Sequence, residues 1–144
     1  MTLDDIFENW SIDSKISKTD LDSESLNIPV LHNKYIQFYT KEKLSLSKLE
    51  IQYKTLFKLK SDYFCGTLDL ETIKENGWQP NPRIILKSEL NTFIEADADI
   101  QNLSIKIALQ REKVLALDSI IKMIGNRGYQ ISNAINYMKF MNGI

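Results

Sequence analysis

A length of 144 residues is one domain's worth of chain, and 43% hydrophobic against 26% charged residues supplies a packed core and excludes wholesale disorder. Five glycines and three prolines are about half the usual share, which argues against a turn-rich β-sandwich or barrel and for a mainly helical protein. A net charge of −1 does not by itself point to nucleic acid, and the single Cys65 excludes an intrachain disulfide and fits a reducing compartment.

The near-neutral total hides alternating blocks of −5 over residues 1–26, +4 over 27–63, −4 over 64–101 and +4 over 102–144. Such blocks suit attraction between subunits or a local polyanion site, and equally a solvated helix face. The start, Met1-Thr2-Leu3-Asp4-Asp5, has neither the basic nor the apolar region of a secretory signal, and no apolar run approaches the ~20 residues of a membrane span. The expected address is the cytoplasm.

Taken in chain order, a short helix is expected over residues 3–10, with Thr2 as cap and Asp4 and Asp5 favourable to its dipole. Residues 11–18 are Ser/Lys-rich and read as irregular. Thr19, Asp20 and Asp22 mark a second helix start. Pro29 must then kink that helix or open a new one, and a kink is expected, followed by a long helix to Phe64. On this helix Tyr35, Leu49, Leu56 and Tyr63 share heptad-compatible positions, as do Tyr39, Leu46 and Tyr53. Lys34, Lys41 and Lys48 recur every seven residues on another face, and Lys54 and Lys58 continue a basic edge toward Lys60. Aromatic stripes of this spacing usually mark core.

Gly66 ends the long helix. Residues 67–87 form an irregular connector, in which Gly77-Trp78-Gln79-Pro80-Asn81-Pro82 cannot be helix and Trp78 reads as a loop anchor. Ser88 and Glu89 start a short helix to about Glu95, and Asp97 or Asp99 caps a second long one. There Ile100, Leu103, Ile107, Val114, Leu117, Ile121 and Ile124 trace a seam broken only by Gln110. Ile105, Leu109, Leu115 and Ile120 add further apolar surface, so the helix needs several neighbours. Gly125 and Gly128 end it. A final helix over 129–142 carries Ile131, Ile135, Met138 and Met141 on one side, a strip suited to oligomerisation or to docking on the subunit's own core. The chain thus divides into an acidic segment 1–18, a helical core 19–126 and a C-terminal helical segment 127–144.

Catalytic constellations are missing. His32 is the only histidine and has no second ligand nearby, so neither a metal nor a cofactor is expected. Cys65 has no histidine at short spacing, and no phosphate-binding glycine loop of the Walker type occurs. A binding or assembly protein is expected, not an enzyme.

The most specific segment is Leu56-Phe57-Lys58-Leu59-Lys60-Ser61-Asp62-Tyr63-Phe64-Cys65-Gly66. It resembles the Leu-x-Lys-x-Arg-x-Asp-Tyr-Tyr-x-Gly motif of the UvsY recombination mediator family of T4-like bacteriophages. Ile16-Ser17-Lys18-Thr19, Leu31-His32-Asn33-Lys34-Tyr35, Leu49-Glu50-Ile51-Gln52, Ala96-Asp97-Ala98-Asp99 and Asn126-Arg127-Gly128-Tyr129 are similar to that family's sequence at corresponding places. The resemblance implies an all-α protein with a long kinked N-terminal helix, a second long helix and a short C-terminal helix, assembling into a ring, heptameric in the family's best-known member. It implies a non-enzymatic loader in the host cytoplasm that binds single-stranded DNA and helps a UvsX-like recombinase displace the phage single-strand-binding protein. The family's basic DNA-contact pair falls on Lys58 and Lys60. Lys60 stands for an arginine, and Gly66-Thr67-Leu68 replaces Gly-Arg-Gly, so either DNA affinity is weaker than in the family or Lys41, Lys48 and Lys54 share the work. Tyr63 and Phe64 either stack on bases or close a packing face. The alternative of another class is a helical scaffold or assembly protein without DNA binding.

Overall fold

A computed structural model of the chain describes residues 1–80 and 83–144. Seven helices follow in order among the described residues: α1 (Leu3–Asp13), α2 (Leu21–Leu26), α3 (Ile28–Phe64), α4 (Leu70–Glu75), α5 (Leu90–Glu95), α6 (Ala98–Gly125) and α7 (Arg127–Met141). The fold is all-α, as the scarcity of glycine and proline requires. α1 outruns its expected end by three residues, and α4 supplies a helix inside the connector expected to be irregular. Asn81 and Pro82, part of that non-helical stretch, lie outside the described residues.

The helix ends follow from local chemistry. At α1, Thr2 Oγ1 accepts from the Asp5 amide at 3.0 Å while Asp5 Oδ2 accepts from the Thr2 amide at 2.7 Å, a reciprocal capping box. These bonds hold the Asp5 carboxyl below its ordinary range. Pro29 corrects the expectation of a kink: α2 stops at Asn27, and Pro29 is the second residue of a new helix. In a first turn its missing N–H has no helical partner to lose, so proline opens α3 instead of bending it.

Residues 1–44 and 110–144 form one compact unit, and residues 45–109 a second. The acidic N-terminal segment and the C-terminal helix therefore belong to the same unit. Its core joins Ile6 of α1, Leu31 and Tyr35 of α3, and Leu117, Ile120 and Ile124 of α6, with Trp10, Ile28, Phe38, Tyr39, Ala116 and Ile121 around them. Each fully buried aliphatic or aromatic side chain there contributes about 1.5–3 kcal/mol. Trp10 and Phe38 meet Tyr35 edge-on, at centroid distances of 5.5 and 5.7 Å. Burial and the Asp13 carboxylate, which accepts the phenol proton at 2.9 Å, hold Tyr35 well above the usual phenol range. Gln110, the polar break in the α6 seam, is buried and donates to the Glu42 carbonyl at 2.8 Å and to its carboxylate at 2.6 Å.

In the same unit α2 packs on α7, and Arg127 is buried at their meeting point. Its guanidinium donates to the carbonyls of Ser14 (3.4 Å) and Lys15 (3.0 Å), just past the end of α1, and to Glu24 Oε2 (3.1 Å).

The second unit buries Ile73, Ile85, Ile94, Ile100 and Ile107, together with Lys60. Two glycines shape it. Gly66 (φ +76°) ends α3: its amide donates to the Tyr63 carbonyl and that of Thr67 to Asp62, at 3.2 and 2.9 Å. Gly77 (φ +72°) ends α4 in the same way, its amide on Lys74 and that of Trp78 on Ile73, each at 3.0 Å. Only a residue tolerant of the left-handed region makes this turn cheaply. The second turn fixes where Trp78 leaves α4.

Candidate nucleic-acid interface

Neighbours at i and i+4 share a helix face, whereas residues two apart point ~200° away from each other. Lys54 and Lys58 therefore lie on one side of α3, and Lys60 on the opposite side. Lys54 and Lys58 are exposed, as are Lys48 in the same unit and Lys41 in the first. Lys58 is 76% exposed at its side chain and makes one local ion pair, to Asp62 at 3.0 Å. Such an exposed pair is worth well under ~1 kcal/mol and exchanges readily with other ions.

Lys60 departs from the expectation that it shares this exposed edge. Its side chain is only 4% exposed, and its ammonium lies 3.0 Å from Asp97 Oδ1 and 3.0 Å from Asp99 Oδ2. It also sits 3.8 Å from the centre of a Trp78 ring, a desolvated cation–π geometry. Asp97 caps α6, its Oδ2 accepting from the amides of Asp99 (3.0 Å) and Ile100 (3.2 Å). Asp99 Oδ2 also accepts the Trp78 indole proton at 3.0 Å. The Lys60 ammonium, against the opposing effect of burial and with a lesser contribution from that indole, holds the Asp99 carboxyl below the ordinary range. Trp78 is thus a loop anchor, and Asp97 and Asp99 are more than helix-start residues.

Tyr63 and Phe64 are half-buried. Tyr63 meets Trp78 at 5.3 Å and Phe64 at 5.2 Å, and its hydroxyl donates to the Gln79 carbonyl. Phe64 meets Phe93 at 6.1 Å. Both rings are engaged inside the second unit, closing the end of α3.

The C-terminal strip is split. Ile131 is buried within its own unit, while Ile135, Met138 and Met141 are exposed, with Tyr129, Tyr137 and Phe140 beside them in sequence and also exposed. Ile131 therefore takes the docking role left open for this strip. Among the described residues no group of three or more His, Cys, Asp or Glu side chains is placed to hold a metal ion, and no helix is long and apolar enough to cross a membrane.

The family model described as "Recombination, repair and ssDNA binding protein UvsY" matches residues 9–144. The chain belongs to the UvsY family. The recombination protein uvsY of Enterobacteria phage T4 is 26% identical over 145 residues, covering 99% of both chains. Crystal structures of the bacteriophage T4 recombination mediator protein UvsY share the fold. One superposes with a TM-score of 0.85 at 23% identity, covering 99% of this chain and 98% of that one. A second crystal form gives 0.83 at 23% identity, over 95% and 98%. The UvsY resemblance carried by short motifs therefore extends over the whole fold.

Lys60, Asp97, Asp99 and Trp78 sit in segments that the sequence presents separately, and sequence reasoning misses their convergence. One signal for it is present: a Lys-x-Lys pair on a helix cannot turn both ammonium groups to one surface. Arg127 stands in the sequence between two helix-ending glycines and within a segment similar to the UvsY family, and no local feature announces its partners near residues 14, 15 and 24.

Proposed function

We propose that this chain is a non-enzymatic recombination mediator that binds single-stranded DNA without sequence preference. The phosphate contacts are Lys54 and Lys58, with Lys41 and Lys48 contributing further cations. The observation that carries the reading is a UvsY family match over residues 9–144 in a chain whose α3 turns these lysines to solvent. Cations tracking a backbone supply sequence-independent affinity by releasing counterions. Repetition in a homo-oligomer, a heptameric ring in our reading, multiplies a weak patch into firm binding, which reconciles DNA binding with a near-neutral chain. The exposed Ile135, Met138 and Met141 suit contacts between subunits. Ile131 does not contribute there, being buried in its own unit. In the host cytoplasm, strand held on this surface passes to a UvsX-like recombinase as the phage single-strand-binding protein is displaced. The acidic N-terminal segment suits a basic partner surface.

The test is fluorescence anisotropy of a labelled single-stranded oligonucleotide across a salt series. Wild-type affinity is expected to fall linearly in log salt. Lys54→Ala/Lys58→Ala should bind more weakly, with a slope shallower by about 0.7 for each phosphate that is no longer neutralised. A folded, assembled wild type that does not bind at low salt overturns the mediator reading in favour of a helical scaffold.

A further inference from the structure

We propose that Lys60 is a positioning residue of this interface and not one of its phosphate contacts. Its ammonium is an internal counter-ion that locks the Trp78 loop and the start of α6 to the last turns of α3. The positioning role rests on the reading that the exposed side of α3 holds single-stranded DNA.

Two of the three Lys60 donors are directed at Asp97 and Asp99, and the Trp78 indole lies against the same ammonium. None of these partners is loose. Asp97 is tied to the first amides of α6, Asp99 also holds the indole N–H, Trp78 is set by the left-handed turn at Gly77, and Tyr63 reaches Gln79 in the same loop. Turning Lys60 out to a phosphate would leave two neighbouring carboxylates without their shared cation. Lys58 has no such restraint, since it need only exchange one solvent-facing carboxylate for a phosphate. The two cations of one motif therefore have separate roles: Lys58 meets the strand, and Lys60 holds the helix end that presents it.

The role is separable experimentally because Trp10 and Trp78 are the only tryptophans and lie in different units. In a Trp10→Phe background, Trp78 emission reports the second unit. Lys60→Met is expected to lower the Trp78-detected urea midpoint and shift the emission. Adding Asp99→Asn, which restores the net charge and keeps an acceptor for the indole, should recover at least half of that loss. Lys60→Arg should match wild type. In DNA titrations Lys60→Met should raise Kd about threefold at every salt concentration, with the log–log slope unchanged and the loss reversed by Asp99→Asn. Lys58→Ala should flatten the slope.

The proposal is overturned if folded Lys60→Met/Asp99→Asn loses as much slope as Lys58→Ala, or if Lys60→Met leaves the Trp78 midpoint where it was. Should wild type not bind DNA at all, the mediator reading fails. The unfolding cycle between Lys60 and Asp99 still decides whether the lock exists.

Discussion

Among the described residues each unit buries one cation where separate stretches of chain meet, and the surroundings of the two cations differ. Arg127, in the unit formed by residues 1–44 and 110–144, is balanced by one carboxylate, Glu24, and gives two further donors to the carbonyls of Ser14 and Lys15. Lys60, in the unit of residues 45–109, faces two carboxylates and an aromatic ring. The planar fork of arginine can satisfy main-chain acceptors and a carboxylate at once, whereas a lysine acts as a compact charge. The first arrangement is electrically neutral and holds the backbone directly. The second carries an excess negative charge and holds side chains, one of which, Asp99, is 51% exposed.

The comparison predicts unequal consequences when the cations are removed. Arg127→Met should cost about 3 kcal/mol, since it strands a partly buried carboxylate and two carbonyls. Lys60→Met should cost about 2 kcal/mol, because water can reach Asp99 once its partner is gone. Urea unfolding at pH 7 should place the first loss on the Trp10 transition and the second on that of Trp78. Equal losses on both reporters would mean that the two clusters do not act unit by unit.

Acid should sharpen the contrast. Asp99 titrates below its ordinary range in the folded protein, so its contribution to stability is present above the unfolded value, near 4, and is lost as pH falls through the lower folded value. Asp99→Asn should therefore make the Trp78 transition less sensitive to acid below about pH 4 while leaving the Trp10 transition's pH dependence unchanged. An identical acid profile in wild type and variant would contradict the assignment. The smallest effect belongs to the exposed side of α3. Asp62→Asn removes the local competitor of Lys58 and should tighten single-stranded DNA binding about twofold, the scale of an i,i+4 surface pair. Anisotropy at fixed salt reads it.

How much of this is legible in the sequence depends on the range of the interaction. The cap at Thr2, the end of α3 at Gly66 and the cap of α6 are written within four residues of themselves, and the sequence points to each of them, leaving only Asp97 or Asp99 as the choice for the last. The seam from Ile100 to Ile124 follows from periodicity, and Gln110 stands out in it, although its partner, 68 residues away, does not. Pro29 misleads because a kink and a helix start share the same residue, and the stop of α2 at Asn27 carries no strong signal. The exposed lysines are legible as a group, but sequence adjacency places Lys60 among them when helix geometry separates it from Lys58. Its partners at 78, 97 and 99 come from other elements, and only the folded chain brings them to it.

Lysine acetylation footprinting read by mass spectrometry, on the assembled protein with and without a single-stranded oligonucleotide, tests the division of labour within α3 most directly. Lys54 and Lys58 should be modified fast in the free protein and both be protected on the strand, with Lys60 slow in both states. Lys60 reacting as fast as Lys58 in the free protein, and becoming protected with it on DNA, would contradict the account.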